Sequence, residues 1–199
     1  MAIAYAGIHV ELREISLRDK PEALLAVSPK GTVPVLLLPD QSVLDESLDV
    51  MIWSLGQYDP DKWIASDGLI SREAQKLIEM NDCQFKVYLD RYKYSIRFPE
   101  HPSEYYRECG ENFLGVLEAC LGSSQYLLGD QLSLVDVAIF PFIRQFSKVD
   151  LSWFQSSSYI ALNAWLDKFE RGELFNSVMN KYKPWVDGEV GVPFGIYES

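Results

Sequence analysis

Ser28-Pro29-Lys30-Gly31-Thr32-Val33-Pro34-Val35-Leu36-Leu37-Leu38-Pro39 is followed closely by Asp45-Glu46-Ser47, which stands at the head of an apolar-periodic run. A proline between β-forming residues, just ahead of a strand run, removes one ladder donor and sets φ. Val33-Pro34 therefore suits a strand that stops pairing with its own sheet, leaving the Val33 backbone to pair with a ligand. Ser47 opens a helix pattern of Leu48, Met51, Ile52 and Leu55. The unpaired N–H groups at such a start hold an anion, typically a carboxylate or phosphate. Edge backbone and anion site together predict a small-peptide site.

Working outward, the first part of the chain reads as mixed α and β. Residues 1–6 form a short apolar helical piece ended by Gly7, and 9–15 reads as a strand with Val10 and Leu12 on one face. Pro21 starts a helix over 21–27 that Ser28-Pro29 stops. Two short strands, 35–38 and 43–44, flank the turn Pro39-Asp40-Gln41, and a helix over 47–58 closes the unit. The stretch 59–71 is turn-rich, with Asp59-Pro60-Asp61 and Ser66-Asp67-Gly68, and reads as a linker.

Everything beyond it is helical. A long helix over 71–93 carries Leu77, Ile78, Phe85, Tyr88, Leu89 and Tyr92 at helical spacing, and Pro99 and Pro102 separate it from a second over 103–121. Tyr106, Cys109, Phe113, Leu117 and Leu121 form the stripe of that second helix, and the two predict an antiparallel hairpin. Ser133 as N-cap and Asp136 three residues on form a capping box, with Leu132 and Val137 placed to staple the entry. The helix that follows is apolar nearly all round through Ile139, Phe140, Phe142 and Ile143, which predicts the buried centre of a helical domain. Pro141 inside it predicts a kink. A last helix over 159–171 bears Leu162, Trp165, Leu166 and Phe169, and an irregular tail follows.

The 199 residues, 48% of them hydrophobic, suffice for a substantial core. A net charge of −11 and a pI near 4.6 argue against nucleic-acid binding, which needs clustered Lys and Arg. No apolar stretch approaches bilayer length, and the first residues lack the basic flank of a signal peptide, so a cytoplasmic location is expected. Cys83, Cys109 and Cys120 form no C-x-x-C and sit in helical patterns. They read as buried structural thiols, with no disulfide framework and no metal site. His9 begins a strand pattern and His101 lies between prolines, which leaves a His-dependent triad without support.

Three of these features, 29–36, the Asp45-Glu46-Ser47 turn and the segment from Gly129-Asp130 to Ser133-Leu134-Val135-Asp136, in this order and spacing, resemble the cytosolic glutathione transferases across nearly the whole chain. Lys20-Pro21-Glu22 is similar to the omega-like, cysteine-using branch. The resemblance implies an α/β plus all-α fold: a thioredoxin-like glutathione-binding domain over 1–58, incomplete at its N-terminus, a linker over 59–70 and an all-helical domain over 71–199. It implies a cis Val33-Pro34 bond and a glutathione site made by Lys20, Thr32, Val33, Pro34, Glu46 and Ser47. In it Val33 pairs with the cysteinyl unit, Glu46 and Ser47 hold the γ-glutamyl end, and Lys20 meets the glycyl carboxylate. Ser133 and Asp136 are structural, and a symmetric homodimer is implied.

The family's first strand and catalytic turn would precede Met1, so the catalytic residue is expected upstream of the chain, and Tyr5 is expected to pack in the core. Without that strand, the edges of 9–15 and 35–38 are left facing each other unpaired, unless the gene product starts about twenty residues earlier or another segment fills the gap. The implied activity is a glutathione transferase or glutathione-dependent thiol transferase acting on small electrophilic or disulfide substrates. Glutathione is its co-substrate. Phe85, Tyr88 and Tyr92 are candidate walls of the cleft between the domains, although aromatics at helical spacing are more often plain core. The alternative is a non-catalytic protein of the same fold that acts in protein–protein interaction.

Overall fold

A computed structural model describes residues 1–65 and 68–195. Ser66 and Asp67 of the expected linker turn lie outside the described residues. Contacts divide the chain into Met1–Pro60 with the segment from Glu173 on, and Asp61–Gly172. The segment that begins at Glu173, counted with the helical domain in the sequence reading, thus groups with the first unit.

In the first unit, α1 (Ala2–Tyr5) buries Ala2 and Ala4 and ends before Gly7, whose φ of +62° turns the chain into β1 (Val10–Leu12). Pro21 leads into α2 (Glu22–Val27) with the backbone dihedrals of a residue just outside a helix. β2 (Leu36–Leu37) and β3 (Val43–Leu44) pair antiparallel, Leu36 opposite Leu44. In their turn the Ser42 N–H and hydroxyl both donate to Asp40 Oδ1, at 2.9 and 2.6 Å. α3 (Ser47–Gln57) packs on α1 and buries Val50, Ser54 and Leu55.

The strand expected over 9–15 shortens to three residues, because its partner is itself short. That partner is β4 (Val192–Phe194), from the tail that the sequence leaves irregular. It runs antiparallel to β1, with Val10 opposite Phe194 and Leu12 opposite Val192. β1 and β2 belong to separate two-stranded sheets, and among the described residues no segment bridges them.

The second unit is helical. Ser71 caps α4 (Arg72–Met80), its side chain accepting from the Ala74 N–H at 3.1 Å. A π-helical turn (Asn81–Phe85) carries the helix on into α5 (Lys86–Lys93), so the long helix of the sequence is continuous but contains one wider turn. α5 packs against α6 (Ser103–Leu121), and α7 (Leu134–Ser147) lies in the core, with Leu134, Val135, Ile139, Phe140, Ile143 and Phe146 almost fully buried. α8 (Leu151–Ser156) and, in the first unit, α10 (Glu173–Ser177) are short helices the sequence does not mark; α9 (Ile160–Arg171) is the expected last long one.

The capping box at Ser133 and Asp136 is present. The Asp136 carboxylate also accepts the Leu127 N–H at 2.9 Å and the Trp165 indole N–H at 3.0 Å, tying two further segments to the start of α7. Burial pushes its pKa up, against those donors.

The cysteines correct an expectation. Cys83 is exposed and Cys109 and Cys120 are only half-buried. The buried face of α6 is Tyr106, Gly110, Phe113, Leu114, Leu117 and Leu121, with Gly110 and Leu121 each one residue and about 100° off a cysteine. Gly110 takes the central place because the Phe146 ring occupies the space above it.

Candidate functional site

The decisive stretch sits at the edge of the first unit. Gly31 turns with φ +59°, its N–H donating to the Ser28 carbonyl at 2.9 Å. A Cβ there would come within 3.0 Å of Leu25 Cδ2 and 3.3 Å of Lys20 Nζ, so the Lys20 side chain lies across this turn. Thr32, Val33 and Pro34 follow, all exposed, and the Val33-Pro34 bond is cis. Val33 is 48% exposed, and its backbone makes no hydrogen bond to another described residue. β2 begins two residues beyond Pro34, and its partner β3 leads through Asp45 to α3.

At that helix start Glu46 is the N-cap, extended and with no capping bond from its side chain, and Ser47 is the first helical residue. Both are exposed. The first N–H of α3 to be paired is that of Val50, which donates to the Glu46 carbonyl at 3.1 Å, so those of Ser47, Leu48 and Asp49 open outward. The helix dipole places positive partial charge at the same point.

A chain of polar contacts joins the two segments. Buried Ser28 donates its hydroxyl to Asp45 Oδ2 at 3.0 Å; Lys30 Nζ donates to Asp45 Oδ1 at 3.0 Å and to Glu46 Oε1 at 2.9 Å. The bonds to Glu46 and Asp45 push the Lys30 pKa up, and those from Lys30 and Ser28 hold the Asp45 carboxyl below its ordinary range. Residues 28 and 30 are thereby brought beside 45 and 46. Ser28, Lys30 and Asp45 are not marked by sequence as site residues, because their contacts span 15 to 17 residues and leave no periodic signal.

Of the candidate cleft aromatics, two take the core alternative. Phe85 and Tyr92 are core residues of the helical unit, with ring centroids 5.2 and 5.0 Å from that of Phe146, and Tyr88 is half-buried. Tyr5 is half-buried rather than fully packed, its hydroxyl donating to Asp59 Oδ1 at 3.3 Å.

Two family models match the chain: glutathione S-transferase, N-terminal domain, over residues 1–54, and glutathione S-transferase, C-terminal domain, over 87–168. The chain belongs to the glutathione S-transferase family. Its fold is that family's, a thioredoxin-like N-terminal domain followed by a helical C-terminal one.

Among curated relatives it is 29% identical over 162 residues to "Probable glutathione S-transferase parA" of Nicotiana tabacum, covering 78% of this chain and 66% of that protein. To glutathione S-transferase omega-1 of Rattus norvegicus it is 24% identical over 182 residues, covering 91% and 70%. The chain thus spans about two thirds of the length of these relatives. Among solved structures, the bacterial glutathione transferase BphK in its ternary complex superposes with a TM-score of 0.72 at 24% identity, covering 88% of each chain. Glutathione transferase URE2P6 from Phanerochaete chrysosporium, in complex with oxidized glutathione, superposes at 0.73 with 18% identity, over 88% of this chain and 85% of that one.

Proposed function

We propose that this chain binds glutathione and belongs to a glutathione transferase or glutathione-dependent thiol transferase that acts on small electrophilic or disulfide substrates. The observation that carries this is the pairing, on one edge, of the unbonded Val33 backbone with the open start of α3 at Glu46 and Ser47. A peptide strand can pair with Val33, while the γ-glutamyl end meets a carboxylate for its ammonium and N–H groups for its carboxylate.

Lys20, laid across Gly31, makes no ion pair with a described residue and can take the glycyl carboxylate. Thr32 and Pro34 shape the edge between. The family membership supports the reading, as does the glutathione held by structural neighbours such as a sphingomonad glutathione S-transferase, which matches with a TM-score of 0.71 at 19% identity. Action in the cytoplasm as a symmetric homodimer follows from the same family.

Retention on immobilised glutathione tests this. The chain is expected to bind and to be eluted by free glutathione; passage without retention would overturn the proposal. Glu46→Gln removes the charge that meets the ammonium. For so exposed a group the expected loss is about threefold in affinity, or roughly 0.6 kcal/mol, by calorimetric titration.

A further inference from the structure

Glu46 holds an ammonium group from its own chain. Lys30 Nζ sits 2.9 Å from Glu46 Oε1 and 3.0 Å from Asp45 Oδ1, and Asp45 is fixed from its other oxygen by the buried Ser28 hydroxyl. The two carboxylates differ in setting: the Asp45 side chain is 26% exposed and the Glu46 side chain 63%. The Asp45–Lys30 contact is therefore the anchored half of the bridge, and the Glu46–Lys30 contact the half open to exchange with solvent-borne cations.

We infer that Lys30 is the resident counter-ion of Glu46, that it withdraws onto Asp45 alone when a ligand's α-ammonium arrives, and that it thereby sets how strongly the site selects for a free α-amino group. This rests on the glutathione reading of the same site. The consequence is a selectivity that the unaltered chain keeps low. A ligand lacking the ammonium leaves Glu46 paired with Lys30 and suffers little. Without Lys30, the same ligand leaves Asp45 and Glu46 side by side with no cation between them, while glutathione supplies one. Like charges so close disfavour the bound state of the amino-free ligand and favour that of glutathione.

The test is calorimetric titration, at low salt, of the full chain and of Lys30→Met with two ligands: glutathione, and its desamino analogue in which the γ-glutamyl amino group is replaced by hydrogen. Met keeps the length and apolar stem of the side chain. The unaltered chain is expected to prefer glutathione by no more than about threefold. In Lys30→Met the preference widens by a further factor of about five, the scale of one exposed ion pair. It narrows again as salt is raised.

A preference unchanged by the substitution, with both affinities falling together, would overturn the inference and make Lys30 a direct ligand contact. Equal binding of the two ligands by both proteins would overturn it as well. Failure of the unaltered chain to bind either ligand would instead overturn the glutathione reading and the inference with it. Because the pair is exposed, Lys30→Met should unfold thermally within a few degrees of the parent chain, which certifies that the variant is folded.

Discussion

At the scale of single residues, spacing along the chain marks positions with a local cause and misses those set by a distant partner. Val33, Glu46 and Ser47 are recognisable because a proline before a strand and a polar residue before an apolar period have local causes. Lys30 is not, since its role depends on carboxylates 15 and 16 residues away.

Tyr159 has the same character in the helical unit. Its hydroxyl donates to Glu111 Oε2 at 3.0 Å across 48 residues, and burial together with that carboxylate pushes its pKa up to about 12. The folded chain then keeps this proton to higher pH than the unfolded chain, whose tyrosines titrate near 10. The stabilisation is complete below pH 10 and is lost as pH rises through the folded value. Tyr159→Phe should cost about 1 kcal/mol in urea unfolding at neutral pH. The gap between variant and parent should shrink between about pH 10 and about pH 12. An unchanged gap would place the hydroxyl outside this network.

Among the elements, helices are the most legible, because each of α3, α6, α7 and α9 carries a period and a boundary signal within its own sequence. What periodicity does not resolve is which of two adjacent stripes meets the core. On α6 it favours Cys109, an apolar residue at the right spacing, whereas the packed position is Gly110. A Cβ at Gly110 would lie 2.6 Å from Phe146 Cε2, and Phe146 is held by the rings of Phe85, Tyr92 and Trp153.

Gly110→Ala therefore sets two effects against each other. Helix propensity favours alanine by about 1 kcal/mol. Overpacking against a ring that cannot turn aside opposes it by about 2 to 3 kcal/mol. The steric effect is the larger, so chemical denaturation should show a net loss of about 1 to 2 kcal/mol. A gain would mean that the ring yields. The π-helical turn belongs here too: it keeps buried Asn81 and Phe85 on one helix, and no residue in the sequence announces it.

For the whole molecule, the first unit draws on both ends of the chain. Beyond the β1–β4 ladder, the Trp185 N–H donates to the Glu14 carbonyl at 2.7 Å, Arg13 stacks 4.6 Å over the Trp185 ring, and the Gly191 N–H donates to Glu11 Oε1 at 3.0 Å. A Cβ at Gly191 would come within 2.6 Å of the Leu12 carbonyl oxygen, and one at Gly195 would run into that of Ile8, so glycine lets the tail lie against the strand. Gly191→Val is expected to lift β4 away, speeding hydrogen exchange of the Val10–Leu12 amides and costing about 1 to 2 kcal/mol. Unaltered exchange would show that the tail does not protect β1.

By itself the sequence determined the order of the long helices, the capping box at Ser133 and Asp136, the turn that closes β2 and β3, and the edge at Val33 beside the start of α3. Each of these follows from interactions within a few residues, which a linear pattern records. Only the tertiary structure decided that Lys30 bridges Asp45 and Glu46, that Gly110 rather than Cys109 faces the core, and that the tail pairs with β1. Those depend on groups that meet after the chain has closed loops of 15 to 180 residues, and nothing local to either partner encodes the meeting.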